Sequence, residues 1–154
     1  MPFSLESPAF RNGDRIPPRH ARDGGNLSPP LVWKEAPPGT KSFALVVEDP
    51  DAPSGTFRHW GLYDIAPGQS QLPEGGAGGA APGFAQAVND FGNSGYDGPQ
   101  PPRGHGVHHY HFRIAALDTE KLPLPAKASV AQLWTAAQPH LIAEAELVGT
   151  FENR

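Results

Sequence analysis

Apolar and polar positions fall into short blocks punctuated by proline and glycine, and the blocks have strand length and strand alternation more often than helical period. The densest block, Ser42 to Glu48, is apolar on both faces, with Phe43, Leu45 and Val47 on one and Ala44 and Val46 on the other. That pattern predicts a central strand. Shorter blocks predict an edge strand at Phe3–Leu5, a strand at Leu31–Trp33 closed by Ala36-Pro37-Pro38-Gly39, a strand at Trp60–Ile65, a long strand at Val107–Leu117 and a last one at Glu146–Phe151. Residues 11–30 and 66–106 read as long loops, and the run from Gly75 to Ala81 is expected to be mobile. One segment has helical period: Val130, Leu133, Trp134 and Ala137, preceded by the capping-box pair Ser129 and Gln132 and stopped near Pro139. The sum predicts an all-β chain, a β-sandwich with one or two short peripheral helices near the C-terminus.

Composition narrows this further. A length of 154 residues fits one domain, 1–154, large enough for a buried core. The 18 glycines and 19 prolines separate apolar blocks instead of forming one tract, which favours a loop-rich β domain over disorder. The net charge of −4, without a run of Lys or Arg, gives no nucleic-acid footprint. Absence of cysteine excludes a disulfide framework and thiolate metal sites. The N-terminus lacks a signal-peptide pattern, and the longest strongly apolar stretch, Phe43 to Val47, is far too short for a transmembrane segment, so a cytoplasmic protein is expected.

The candidate chemistry lies at the ends of the apolar rows. Side chains alternate across a strand. In the strand from Val107, His108, Tyr110, Phe112 and Ile114 share the apolar face, while His109 and His111 point to solvent. Asp49 continues the row of Phe43, Leu45 and Val47, and His59 is placed inward by the row of Tyr63 and Ile65 that follows it. Asp49, His59 and His108 would then meet at the rim of the sandwich. Plainer roles compete: Asp49 and Asp51 as turn-forming carboxylates beside Pro50 and Pro53, the inward histidines as hydrogen-bonded structural residues, His105 as a loop residue, and Trp33, Trp60 and Trp134 as packing.

These residues also resemble a family, the phosphatidylethanolamine-binding proteins, in its bacterial Raf kinase inhibitor-like branch. The resemblance runs through Ser7-Pro8-Ala9-Phe10, Asn26-Leu27-Ser28-Pro29-Pro30-Leu31, Asp49-Pro50-Asp51-Ala52-Pro53, His59-Trp60, Asn89-Asp90-Phe91-Gly92, Gly95-Tyr96, Gly98-Pro99 through Gly104, His108 with Tyr110, and Ala145 through Thr150. It implies two antiparallel sheets with Greek-key connections and a shallow pocket at one end for phosphate-like groups. By motif, that pocket would be lined by Asp49, Asp51, Pro53, His59, Pro101, Pro102, His108 and Tyr110. Two positions depart from the pattern. His109 stands where the family has arginine, removing any salt bridge that arginine makes, and Arg22 lies in a loop that commonly carries a cysteine in the bacterial branch. The bacterial relatives also imply a homodimer.

The leading expectation is a non-enzymatic protein that binds a small anion, phosphate or a phosphoester head group, without a cofactor. A carboxylate should raise the pKa of neighbouring imidazoles, so binding should be tighter at about pH 6 than at about pH 8, with backbone N–H groups of the Gly/Pro-rich loop as further donors. A competing expectation is a hydrolase in which Asp49, His59 and His108 hold a metal or act as acid and base, although no Gly-x-Ser-x-Gly nucleophile elbow is present. A third is an interaction module that engages a phosphorylated or acidic protein partner, as a kinase inhibitor would, with the 68–82 loop as its contact surface.

Overall fold

A computed structural model describes residues 2–53, 55–75 and 84–153. The strands are β1 (Ser4–Glu6), β2 (Leu31–Lys34), β3 (Ser42–Asp49), β4 (Phe57–Ile65), β5 (Gln71–Leu72), β6 (Ala85–Gln86), β7 (His108–Leu117) and β8 (Leu141–Phe151), with one α-helix, α1 (Val130–Ala137). They form two antiparallel sheets, one of three strands in the order β1-β2-β5 and one of five in the order β6-β4-β3-β7-β8. The predicted all-β sandwich with a C-terminal helix is therefore the observed architecture.

β3 is central because both of its faces are apolar and both are covered. Phe43, Leu45 and Val47 join Leu5, Leu31 and Trp33 of the smaller sheet in the core between the sheets. Ala44 and Val46 face the other way, onto Val130, Leu133 and Ala137 of α1. Alternation in β7 follows the same logic, with His108, Tyr110, Phe112 and Ile114 buried and His109 exposed. The helix starts where the sequence predicts: Ser129 accepts from the Gln132 amide at 3.1 Å, and Gln132 accepts from the Ser129 amide at 2.9 Å.

Three features differ from the sequence reading. β8 begins at Leu141, well before Glu146, because pairing with β7 from His108↔Phe151 to Leu117↔Leu141 overrides the weak strand propensity of its Ala/Glu start. Residues 11–30 contain a 3-10 turn at Pro18–His20, and residues 66–106 contain β5 and β6. The run expected to be mobile lies, from residue 76 onward, outside the described residues, as do residues 76–82 of the proposed 68–82 contact surface.

β4 carries the difference that matters for the site. Its register against β3 slips between Val47↔Trp60 and Glu48↔Arg58, and again between Phe43↔Ile65 and Leu45↔Leu62. Each slip is an extra residue on β4, and the second coincides with Asp64 at φ 58°. Simple alternation therefore fails along this strand. Tyr63 packs on the helix side and Ile65 in the intersheet core, so they do not form one row with His59. His59 is buried all the same, because the first bulge turns it toward the same side as Trp60.

Candidate functional site

Where β3, β4 and β7 end together, the chain encloses a cavity of about 280 Å³, lined by Asp49, Ala52, Pro53, Phe57, His59, Phe91, Gln100, Pro101, Pro102, His108 and Tyr110. Its floor is the polar end of the intersheet core. Asp49 is 3% exposed, His59 3%, and His108 and Tyr110 1% each.

Asp49 has two tasks. Its Oδ1 accepts from the Asp51 amide at 2.8 Å, closing the turn that Pro50 stiffens. Its Oδ2 meets His108 Nδ1 at 2.6 Å. The turn role and the site role proposed from sequence are thus both held by one carboxylate. An ionised carboxylate only accepts, so His108 Nδ1 carries the proton and Nε2 is the ring's free end. That end meets His105 Nδ1 at 2.6 Å. His105, read from sequence as a loop residue, is the third member of an Asp49–His108–His105 chain.

His59 is held from behind. Its Nδ1 donates to the Asp97 carbonyl at 2.8 Å, and its ring packs against Phe57, Phe91 and Tyr110 with centroids 5.1, 5.5 and 5.2 Å away. Burial pushes its pKa below the usual imidazole value, outweighing the carbonyl bond and the Asp49 carboxylate. The expectation that Asp49 would raise both imidazoles is therefore corrected for His59, where desolvation wins. The Tyr110 hydroxyl is buried near the Asp49 carboxylate and the Gln100 backbone but makes no hydrogen bond of good geometry among the described residues. Burial and, after it, the Asp49 carboxylate push its pKa up, so it stays a protonated donor.

The outer wall depends on a second buried carboxylate. Asp97 Oδ2 accepts from Asn89 Nδ2 and Asn93 Nδ2, both at 2.8 Å, and Oδ1 accepts from Asn26 Nδ2 at 3.1 Å. Burial alone would raise the Asp97 pKa, but these amides and the Arg22 charge, with its Nε 3.5 Å away, bring it below the usual carboxylate value. Asn26 Oδ1 in turn accepts from the Gly98 amide at 2.8 Å, stapling the wall to the 20–26 loop. Arg22 also lies 4.1 Å from the Phe91 ring centre and donates to Gln100 Oε1 at 3.2 Å. The position that departs from the bacterial pattern thus buttresses the pocket from outside.

Of the eight residues expected in the pocket, Asp49, Pro53, His59, Pro101, Pro102, His108 and Tyr110 line it. Asp51 does not. It is exposed, and its Oδ2 accepts from both the His109 amide and His109 Nδ1 at 2.8 Å. This pair corrects two readings: Asp51 clamps the rim instead of lining it, and His109 supplies a cross-strand partner where a lost salt bridge was expected. The metal reading also fails on geometry. Among the described residues, no three His, Asp or Glu side chains are grouped as ligands about one point.

A family model described as phosphatidylethanolamine-binding protein matches residues 6–152. The chain belongs to the phosphatidylethanolamine-binding protein family. Among its relatives in this family, a UPF0098 protein of Aquifex aeolicus is 43% identical, over 96% of this chain and 86% of that protein. An archaeal one, UPF0098 protein PH1269 of Pyrococcus horikoshii, is also 43% identical, over 96% of this chain and 76% of that protein. The crystal structure of Escherichia coli YbcL, titled a new member of the mammalian family, superposes with a TM-score of 0.94 at 35% identity, covering 99% of each chain. Sequence reasoning did not place Phe57, Phe91, Gln100, Asp97 or His105 at the site and gave Arg22 no role there. Signals existed for three of them: Phe91 lies inside the family motif Asn89-Asp90-Phe91-Gly92, Gln100 inside the run from Gly98 to Gly104, and His105 between two glycines three residues before His108.

Proposed function

We propose that this chain is a non-enzymatic binding protein for a phosphoester, holding the phosphate-like group on the floor of the cavity and its organic substituent against the wall. The observation that carries this reading is the convergence of the buried, unpartnered Tyr110 hydroxyl with the His108 and His59 rings in one cavity of about 280 Å³. A buried hydroxyl without a partner costs roughly 1–3 kcal/mol, and an oxyanion acceptor in the cavity would recover it. The family's own description, phosphatidylethanolamine-binding, points to the same ligand chemistry.

The lining residues refine the ligand. Phe57, Phe91, Pro53, Pro101 and Pro102 present apolar surface, and prolines offer no N–H. The prolines leave side chains as the main donors, and an esterified phosphate suits the apolar wall better than a bare one. Among the described residues no Lys or Arg lines the cavity. Charge must come from His108, whose Nε2 can face an oxyanion only as N–H while Nδ1–H stays on Asp49, which makes the ring an imidazolium. His59, whose pKa burial lowers, contributes as a neutral ring.

Among the described residues the lining includes no Ser, Thr, Cys or Lys, so a covalent hydrolase would have to use Asp49, Tyr110 or a histidine as its nucleophile. Titration calorimetry with phenyl phosphate and inorganic phosphate tests the proposal. Phenyl phosphate should bind more tightly, and Tyr110→Phe and His108→Ala should each weaken it by tenfold or more. Binding unchanged in both variants, or release of phenol by the wild-type protein, would overturn the reading.

A further inference from the structure

The His105–His108 contact is not needed to hold the pocket together, and it occupies the one ring atom that an anion would use. Asp49 takes His108 Nδ1, so Nε2 is the end available to a ligand. His105 Nδ1 sits 2.6 Å from that atom. Two ring nitrogens at this distance share a single proton, since two N–H groups pointed at each other repel and two lone pairs do not bond. The empty pocket is thus internally satisfied at His108 while the Tyr110 hydroxyl waits without a partner.

His105 is also built to leave. It is exposed at the rim. It stands between Gly104 at φ 76° and Gly106 at φ 96°, two left-handed positions that glycine adopts without strain. Its own amide closes a short turn onto the Pro102 carbonyl at 3.0 Å, and the Gly104 amide bonds the Asn153 carbonyl at 3.0 Å. Neither bond fixes the ring, so rotation about the His105 side chain frees His108 without breaking the loop. Other charged or titratable groups at this strand end are Asp49, His59 and Tyr110 inside, Asp51 paired with His109 on the outer face, and, on the rim segments themselves, Arg103 and Glu152.

We propose that His105 is a specificity-determining cap, occupying the ligand position at His108 Nε2 in the empty protein and being displaced when an oxyanion takes its place. This rests on the anion-site reading above. It selects among ligands by a physical criterion. A ligand must accept from His108 more strongly than an imidazole does, which an ionised phosphoester satisfies and a neutral ester or alcohol does not. When the anion arrives the shared proton stays on His108 Nε2, and His105 turns to solvent as the neutral ring protonated at Nε2, the additional proton coming from solvent.

Imidazole-labelled protein gives a direct test by nuclear magnetic resonance. In the empty protein, a scalar coupling across the hydrogen bond should connect His105 Nδ1 with His108 Nε2, and saturating phenyl phosphate should abolish it. Removing the competitor should tighten binding. His105→Ala, and His105→Asn, whose amide is too short to reach Nε2, should each bind phenyl phosphate about two- to tenfold more tightly, the ratio set by one neutral hydrogen bond. A coupling that persists with ligand bound, or variants that bind equally or more weakly while wild-type binding is saturable, overturns the cap and leaves the anion site standing. Absence of saturable binding in both wild type and variants overturns the anion site and the cap together.

Discussion

Replacing Asp97 with asparagine separates charge and acceptor count from shape, because the two side chains are nearly isosteric. In the native wall Asp97 collects three amide donors, two at 2.8 Å on Oδ2 and one at 3.1 Å on Oδ1. An asparagine must turn its NH2 toward one of these sites, where it meets another NH2. The less costly choice faces Asn26, which cannot flip its own amide because its oxygen already accepts from Gly98. One charge-assisted bond is then lost, worth about 1.5–3 kcal/mol, and the other two fall to neutral strength, so the total is roughly 3–5 kcal/mol. For a chain of this length that corresponds to a fall in Tm of roughly 6–20 °C. Urea unfolding at neutral pH measures it, with an unchanged m-value showing that the folded state is otherwise intact. A loss below about 1 kcal/mol would refute the reasoning, since it would mean the wall tolerates opposed donors and Asp97 does not organise it.

Other perturbations read different parts of the molecule. His59 and His20 are both buried with pKa values lowered by desolvation, so the unfolded chain binds their protons more readily than the folded one. Stability from these two groups is full above their unfolded pKa near 6.5 and is lost as pH falls from there toward their folded values; His59→Gln should flatten urea midpoints across that window. A methyl group at Gly61 would lie 2.9 Å from Val130 Cγ2 and 3.0 Å from Leu133 Cδ2. Gly61→Ala should therefore push α1 off the sheet, costing about 1–3 kcal/mol in a thermal melt. Ser129→Ala removes the helix cap and should cost about 1 kcal/mol, recovered in part by Ser129→Asp.

The fold was largely legible because its strongest signals are local. β3 announces itself by two apolar faces, α1 by its capping box, and β7 by clean alternation that places His108 and Tyr110 correctly. His59 shows where such reading fails. It reaches the pocket through a bulge, which depends on how β4 pairs with β3 and leaves no mark in the period of β4 itself. Asp51 failed for a related reason: its partner, His109, comes from a strand 58 positions away. Asn89 and Asn93 reach Asp97 within one loop, but Asn26 and Arg22 come to it from a distant one, and no spacing rule connects positions 22 and 26 with 97.

The pocket joins two parts of unequal persistence. Its floor belongs to β3 and β7, which sit inside the five-stranded sheet and open only when the sheet as a whole does. Its rim around His105 is a solvent-facing turn held by single backbone bonds. Amide hydrogen exchange should show this as a division of timescales, with floor amides exchanging only by global unfolding and rim amides by frequent local opening. A ligand that displaces His105 would change exchange at the rim alone, so occupancy could be followed on an otherwise silent protein by the amides of Arg103 to Val107.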